Sequence, residues 1–411
     1  MTTVTRRRPH RLTEWGLKAN PLPTEAIGRD EFPFSEEAFE EELIEFTDKI
    51  IVAGLSPRRG ISFLYSQPPF GGQEDTGFGK SATMMQMRTD INETLGASVL
   101  EGFVEPEEII PIGAAYASFN TKERTGYYPV VVQAVYDAAT AGEVPLLERA
   151  RERIEQQHGD IGGAIYDSQV KLNTPLRAST VHAFVTDGAA GVAEEIATSS
   201  ETIKLRSGLQ WLHFLLVALD AAGIRRLFLF IDQLEDLATN KSQSRAKRFR
   251  EIGRIRDLLE DEPTRSMLHT TFTMHEHAGV ELEEFWTQHR LPSYEPRRAN
   301  MGQIVLLQGI RNDPAAAKVL AAWLSTERED GYTGSPHAPF EMSAVRVLRD
   351  AAEYRVGPFL VKACQVLDAA EAARLAEIDD SFVDEVLSEE APVRIQDDDE
   401  PPAIEADDDL L

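Results

Sequence analysis

Two alternating glycines stand directly before a lysine and a serine in Gly77-Phe78-Gly79-Lys80-Ser81. The backbone N–H groups of such a turn can close around an oxyanion. The lysine adds a point charge, and the hydroxyl can ligate a hard cation. That is the chemistry of a phosphate cradle. The run departs from the G-x-x-x-x-G-K-[ST] pattern at one place, because the position five before Gly79 holds Glu74. That glycine would lie at the mouth of the loop, where a residue with negative φ can serve. The insertion "PPFGGQ" also lengthens the loop. Taken alone, the run fits an ordinary turn with a surface lysine as well.

A second feature favours the cradle. "LFLFID", Leu227 to Asp232, is an apolar run ending in a carboxylate. In a parallel sheet such an acid projects from the carboxyl edge of its strand, where ligands of α/β proteins bind. There it can hold Mg²⁺ opposite Ser81. The order and context of the two runs point to a modified but working nucleotide site. ATP would lie on Asp75, Thr76, Gly77, Phe78, Gly79, Lys80, Ser81 and Ala82, and Mg²⁺ on Ser81 and Asp232.

Positioning these groups requires a strand before the loop and a helix after it. "ISFLYS" (61–66) reads as a buried strand, and the helical pattern runs from Lys80 to about Leu95. Further strands are expected in "IIPIGAAYASFN", "RLFLFIDQLEDL", "MLHTTFTM" and "QIVLLQGI". Helices are expected in "SEEAFEEELIEFTDKIIVAG", "YYPVVVQAVYDAATAG", "LQWLHFLLVALDAAG" and "SRAKRFREIGRIRDLLED". Strands alternating with helices predict an α/β fold with a parallel five-stranded sheet, helices on both faces. Everything after Gly309 reads as helix. The expected organisation is an N-terminal arm and lead-in segment (1–50), a P-loop core (51–309) with a helical insertion at 143–200, a helical lid (310–392) and a disordered acidic tail (393–411).

Composition narrows the classes. The 411 residues carry a net charge of −27 and a single cysteine, Cys364. This excludes a disulfide framework or a cysteine-based zinc site and opposes non-specific adhesion to nucleic acid. The most apolar run contains His213 and Asp220 and is too short to span a bilayer. "MTTVTRRRPHRLTEW" has no secretory h-region. A soluble cytoplasmic protein is expected, with no membrane partner. The stretch after Gln396 holds eight acids and no base. The helix at 245–256 gathers Arg245, Lys247, Arg248, Arg250, Arg254 and Arg256, and a smaller basic arm holds Arg6 to Arg8 and Arg11. A solvated face and a disordered arm are the simpler readings, and neither cluster is counted as offering aromatics for base stacking.

The two motifs and their surroundings resemble AAA+-type P-loop ATPases of the branch holding origin-recognition-like and STAND ATPases. "IDQLEDL" is similar to the STAND "DQFEEL" motif, and "WGLKANPLP" resembles the lead-in of transposition and secretion ATPases. "PFEMSAVRVLRDAAEYRVGPFLVKACQVLDAA" resembles the helical lid, and the layout is similar to ATP-binding subunits of phage-exclusion systems. The resemblance spans about residues 13 to 390. It implies ATP hydrolysis, a homo-oligomer or a partner-protein effector, and a role in phage defence or mobile-DNA control.

The departures bear on catalysis. Where many relatives place glutamate after the strand-ending acid, this chain has Gln233, leaving Glu235 and Asp236 as replacement carboxylates. Thr273 or His275 is the polar group expected to face the γ-phosphate, a structural histidine being the alternative for the latter. Arg290, Arg297 and Arg298 are candidates for a finger reaching a neighbour's nucleotide. Phe359 occupies the lid position where an arginine is often found, leaving Arg355 or Lys362. The DNA-binding winged helix that follows the lid in origin-recognition proteins has no counterpart here. Three functions fit: a nucleotide-driven switch or assembly factor, a nucleotide-holding scaffold with little turnover, and a DNA-loading ATPase using the 245–256 helix.

Overall fold

The computed structural model describes residues 11–24, 33–56, 60–66, 77–119, 127–141, 145–198, 208–234, 244–274, 276–291 and 304–389. The strands are β1 (Ile61–Ser66), β2 (Ile112–Ser118), β3 (Arg226–Asp232), β4 (Leu268–Met274) and β5 (Ile304–Leu307). They form one five-stranded sheet in the order β2-β3-β4-β1-β5, and every pairing is parallel. The α-helices longer than four residues, in chain order, are α1 (Glu40–Phe46), α2 (Lys80–Thr94), α3 (Tyr127–Thr140), α4 (Leu146–His158), α5 (Ile161–Lys171), α6 (Ala178–Thr198) and α7 (Gly208–Ala221). They continue with α8 (Arg245–Glu260), α9 (Glu276–Gln288), α10 (Asp313–Ser325), α11 (Met342–Ala351), α12 (Val356–Ala373) and α13 (Asp380–Glu389).

The strands are buried and rich in apolar residues because both faces of the sheet are covered, although β4 also buries His269, Thr270, Thr271 and Thr273. All seven residues of β3 are buried. Successive side chains of a strand point to opposite faces. Leu227, Leu229 and Ile231 therefore join the core made with α3, α7, α8 and α9, whereas Phe228 and Phe230 join the core made with α1 and α2. Within the stretch 143–200, hard to read from pattern, the described residues 145–198 form α4 to α6, whose apolar positions share the larger core. There Phe184 of α6 meets Phe214 of α7 edge-on at 5.5 Å between ring centres. Helix α9 has no counterpart among the sequence expectations. It places Trp286 against Phe63 of β1 at 5.7 Å.

The helices after Gly309 form a C-terminal helical domain around a separate core. The lead-in segment belongs to that core: Trp15, Leu17 and Leu22 are buried in it. The Trp15 indole donates to the Ala376 carbonyl at 2.9 Å, and the Asn20 amide donates to Asp368 at 2.7 Å. Among the described residues no helix is long and apolar enough to cross a membrane. The acidic run after Gln396 and the arm at Arg6 to Arg8 lie outside the described residues.

A buried arginine ties down the edge of the sheet opposite the carboxyl ends. Arg226, at the start of β3, is 1% exposed, and its guanidinium donates to the carbonyls of Gly54 (2.8 Å), Ser56 (2.7 Å) and Ser266 (2.7 Å). Burial pushes its pKa down to about 10. Arg226→Met would leave three carbonyls without this donor, each costing about 1–3 kcal/mol when buried and unsatisfied. The expected loss is about 3 kcal/mol or more of unfolding free energy, measured by denaturant titration. A loss under about 1 kcal/mol would show that water replaces the guanidinium.

Candidate functional site

Because all five strands are parallel, Ser66, Ser118, Asp232 and Met274 end on the same edge. Helix α2 starts there. Its N-terminal flank, Gly79, has φ 90°, and Gly77 has φ 85°. Side chains rarely adopt this left-handed region, so glycine is what the turn requires. Gly77 has a second reason. A Cβ there would lie 2.9 Å from the Pro358 ring, in the first turn of α12. The helical domain closes directly on the loop: the N–H of Gly357 donates to the Gly77 carbonyl at 3.1 Å. Phe78 is buried under the same junction, where a Cβ on Gly309 would meet its ring at 2.9 Å.

Lys80 is 9% exposed and turns back towards β1, its Nζ donating to Ser66 Oγ at 3.0 Å. Ser81 faces the next strand but one. Its hydroxyl donates to Asp232 Oδ2, joining residues 151 apart in sequence. This is the arrangement expected of an α/β P-loop fold. The Asp232 carboxylate is 3% exposed and takes further donors on both oxygens. Tyr116 OH donates to Oδ2 at 3.1 Å, Thr273 Oγ1 to Oδ1 at 2.6 Å, and the Gln233 N–H to Oδ1 at 3.0 Å. The same N–H lies 2.7 Å from Thr273 Oγ1, and Gln233 has φ 62°. The Gln233 side-chain oxygen accepts from Ser118 Oγ at 3.1 Å. Among the described residues the edge therefore holds a lysine, five hydroxyl-bearing residues and a carboxylate beside a turn of left-handed glycines.

The structure thus brings together Gly77, Phe78, Gly79, Lys80, Ser81, Asp232, Gln233 and Thr273, with Ala82 in the first turn of α2. Glu74, Asp75, Thr76, Glu235, Asp236, His275, Arg297 and Arg298 lie outside the described residues. Arg290 is exposed beyond α9, and its carbonyl accepts from Arg256 at 3.2 Å. Phe359 is buried in the helical-domain core. Arg355 is the N-terminal flank of α12, 3.3 Å from Glu353, with its Cβ 3.7 Å from where a Cβ on Gly77 would stand. Lys362 lies almost two turns further along α12.

Four participants were not foreseen: Ser66, Tyr116, Ser118 and the Gly357 N–H. Tyr116 and Ser118 are the last same-face polar positions of β2. The pairing of Ser118 with Asp232 is what makes them relevant, and only the strand order shows it.

No family model matches the chain, and no curated protein matches it. Among solved structures it is similar to the Aeropyrum pernix ORC2 protein in its ADPNP–ADP complexes, at 12% identity and TM-score 0.45, covering 87% of this chain and 69% of that one. A Drosophila ORC bound to DNA matches at 13% identity and TM-score 0.36, covering 95% and 69%. A mutant of Thermotoga maritima RuvB matches at 13% identity and TM-score 0.33, covering 89% and 73%. At these scores the likeness carries no weight. The fold rests on the sheet and the site on its own contacts.

Proposed function

We propose that the protein binds and hydrolyses ATP with Mg²⁺ and uses the cycle as a switch or assembly step in a multi-protein complex. The contact between the Ser81 hydroxyl and the Asp232 carboxylate carries this reading. It sets a hydroxyl and an acid, both hard oxygen donors, against each other beside a buried lysine at a helix N-terminus. That donor set suits Mg²⁺, which prefers oxygen ligands and keeps several waters. Ser81 and Asp232 would hold the ion, whose charge would neutralise that developing on the phosphates. Lys80 would leave Ser66 for the triphosphate, and the N–H groups of the loop and of α2 would cradle it. Thr273, bonded to Asp232, would fix the carboxylate. Binding of ATP by the intact protein, with and without Mg²⁺, tests the reading through thermal stabilisation. No stabilisation at millimolar nucleotide would overturn it.

The Gly357–Gly77 hydrogen bond supports the switch. Nucleotide filling the loop would bear on the first turn of α12, and so on the helical domain with its lead-in segment. A scaffold with little turnover is the second reading, favoured by Gln233. Its side-chain oxygen already accepts from Ser118, and an amide cannot take a proton from water. A place in phage defence or mobile-DNA control, and in the STAND branch, rests on "IDQLEDL" and "WGLKANPLP" alone. The identity of flanking genes would test it.

A switch that uses an arginine finger from Arg290, Arg297 or Arg298 requires a second subunit against the nucleotide. ATP is therefore expected to stabilise self-association, read by light scattering. Ending the chain at Arg394 removes the acidic run and should strengthen association. The difference should shrink as salt lowers the Debye length to about 8 Å at physiological ionic strength. A monomer under every nucleotide condition would remove the finger and favour the scaffold.

A further inference from the structure

The expectation that the basic helix lacks an aromatic platform is corrected by the structure. Phe249 of α8 is 41% exposed, and its ring lies 4.3 Å, centre to centre, from the imidazole of His289 just beyond α9. The His289 Nε2–H donates to the Phe249 carbonyl at 2.9 Å, which holds the imidazole beside the ring. Gly253 makes the room, since a Cβ there would stand 2.9 Å from His289 Cε1. This surface is built, and it costs an apolar ring in water.

Its charge is equally unusual for this chain. Residues 245–250, Arg-Ala-Lys-Arg-Phe-Arg, contain no acid in a protein of net charge −27. They occupy the first turns of α8, where the helix dipole favours acids and disfavours bases. Ser244 caps the helix by accepting from the Lys247 N–H, so the cations are not needed for capping. Some have partners within the fold: Arg245 pairs with Glu284, Arg254 with Glu251 and Arg256 with Glu260. Among the described residues Lys247 and Arg250 have none. Ile252, Ile255 and Leu258 face the core. By helical periodicity Phe249 and Arg250 flank a low crest formed by Ala246 and Gly253.

We propose that this face of α8 binds single-stranded nucleic acid. A base would stack on Phe249, backed by His289, and the flanking phosphates would lie on Arg250 and the exposed Arg245, which lie on either side of the ring. Cations beside an exposed ring are the combination that holds unpaired strands, because every base has a face to stack while the backbone is uniformly anionic. A duplex hides those faces, and an acidic peptide would use the cations and leave the ring in water. The proposal is independent of the nucleotide site.

Fluorescence anisotropy of labelled oligothymidylate with the full chain tests it. Salt-dependent binding is expected. Phe249→Ala should weaken it about tenfold or more, and Phe249→Trp should retain it. Arg250→Ala should lower the slope of log affinity against log salt by about 0.7, and Lys247→Ala, on the other side of the helix, should change it less. All are surface changes, so unfolding midpoints should match the parent and ATP-dependent stabilisation should persist. Three outcomes overturn the proposal: no salt-dependent binding by the full chain, equal binding by Phe249→Ala, or equally strong competition by a duplex of the same length.

Discussion

Lys80→Ala is expected to abolish ATP-dependent stabilisation while leaving the protein folded. Lys80 heads α2, where alanine is a good helix former, and its Nζ donates to the Ser66 hydroxyl. Losing the ammonium from a bound triphosphate is the larger change. Hydrogen bonds to charged groups contribute about 1.5–3 kcal/mol each, and a lysine can make more than one to phosphate oxygens. Affinity should fall by at least about a hundredfold. The measurement is the unfolding midpoint of parent and variant across an ATP titration, with the midpoints without nucleotide as the control. Equal stabilisation of both would mean that ATP binds elsewhere or that Lys80 is held permanently by β1. Ser81→Ala discriminates further. It would free one side of Asp232 and weaken binding chiefly when Mg²⁺ is present.

Much of this site was legible because parallel strands buried on both faces are rich in apolar residues. "ISFLYS" could therefore be bounded to the residue, and the run "LFLFID" marked Asp232 as the end of its strand. The glycines were legible for a different reason, since left-handed turns at Gly77 and Gly79 leave little other choice. The partners of Asp232 were not legible. Tyr116 and Thr273 come from β2 and β4, and only the order β2-β3-β4 sets them on either side of β3. The same holds for Gly357, whose bond to the loop depends on how the helical domain folds back. Helix α9 escaped because its apolar positions, Val280, Leu282, Phe285 and Trp286, are too few for a clear stripe. Phe249 escaped because an aromatic inside a basic helix looks like core until its burial is known.

Replacing Glu235 by glutamine is expected to reduce ATP turnover at saturating nucleotide by at least about a hundredfold. Replacing Gln233 by alanine should cost less. Hydrolysis needs a group that can accept a proton from the attacking water, and general-base catalysis contributes typically about 10²–10⁴-fold. Gln233 sits where that group would be useful, against Asp232 and Thr273 through its N–H. Its side chain is a neutral amide whose oxygen already accepts from Ser118. Such a group can orient water without deprotonating it. The carboxylate of Glu235 lies two residues on, and its mutation should leave ATP-dependent stabilisation unchanged, which separates chemistry from binding. Ser118→Ala adds a third measurement: if Gln233 orients water, releasing its side chain should change turnover in the same direction as Gln233→Ala. Full activity in Glu235→Gln, with loss in Gln233→Ala, would instead place the mechanism with GTPases, in which glutamine aligns water. If none of the three changes moves a turnover that is already negligible, the protein holds ATP as a scaffold, and the Gly357–Gly77 contact would report occupancy rather than hydrolysis.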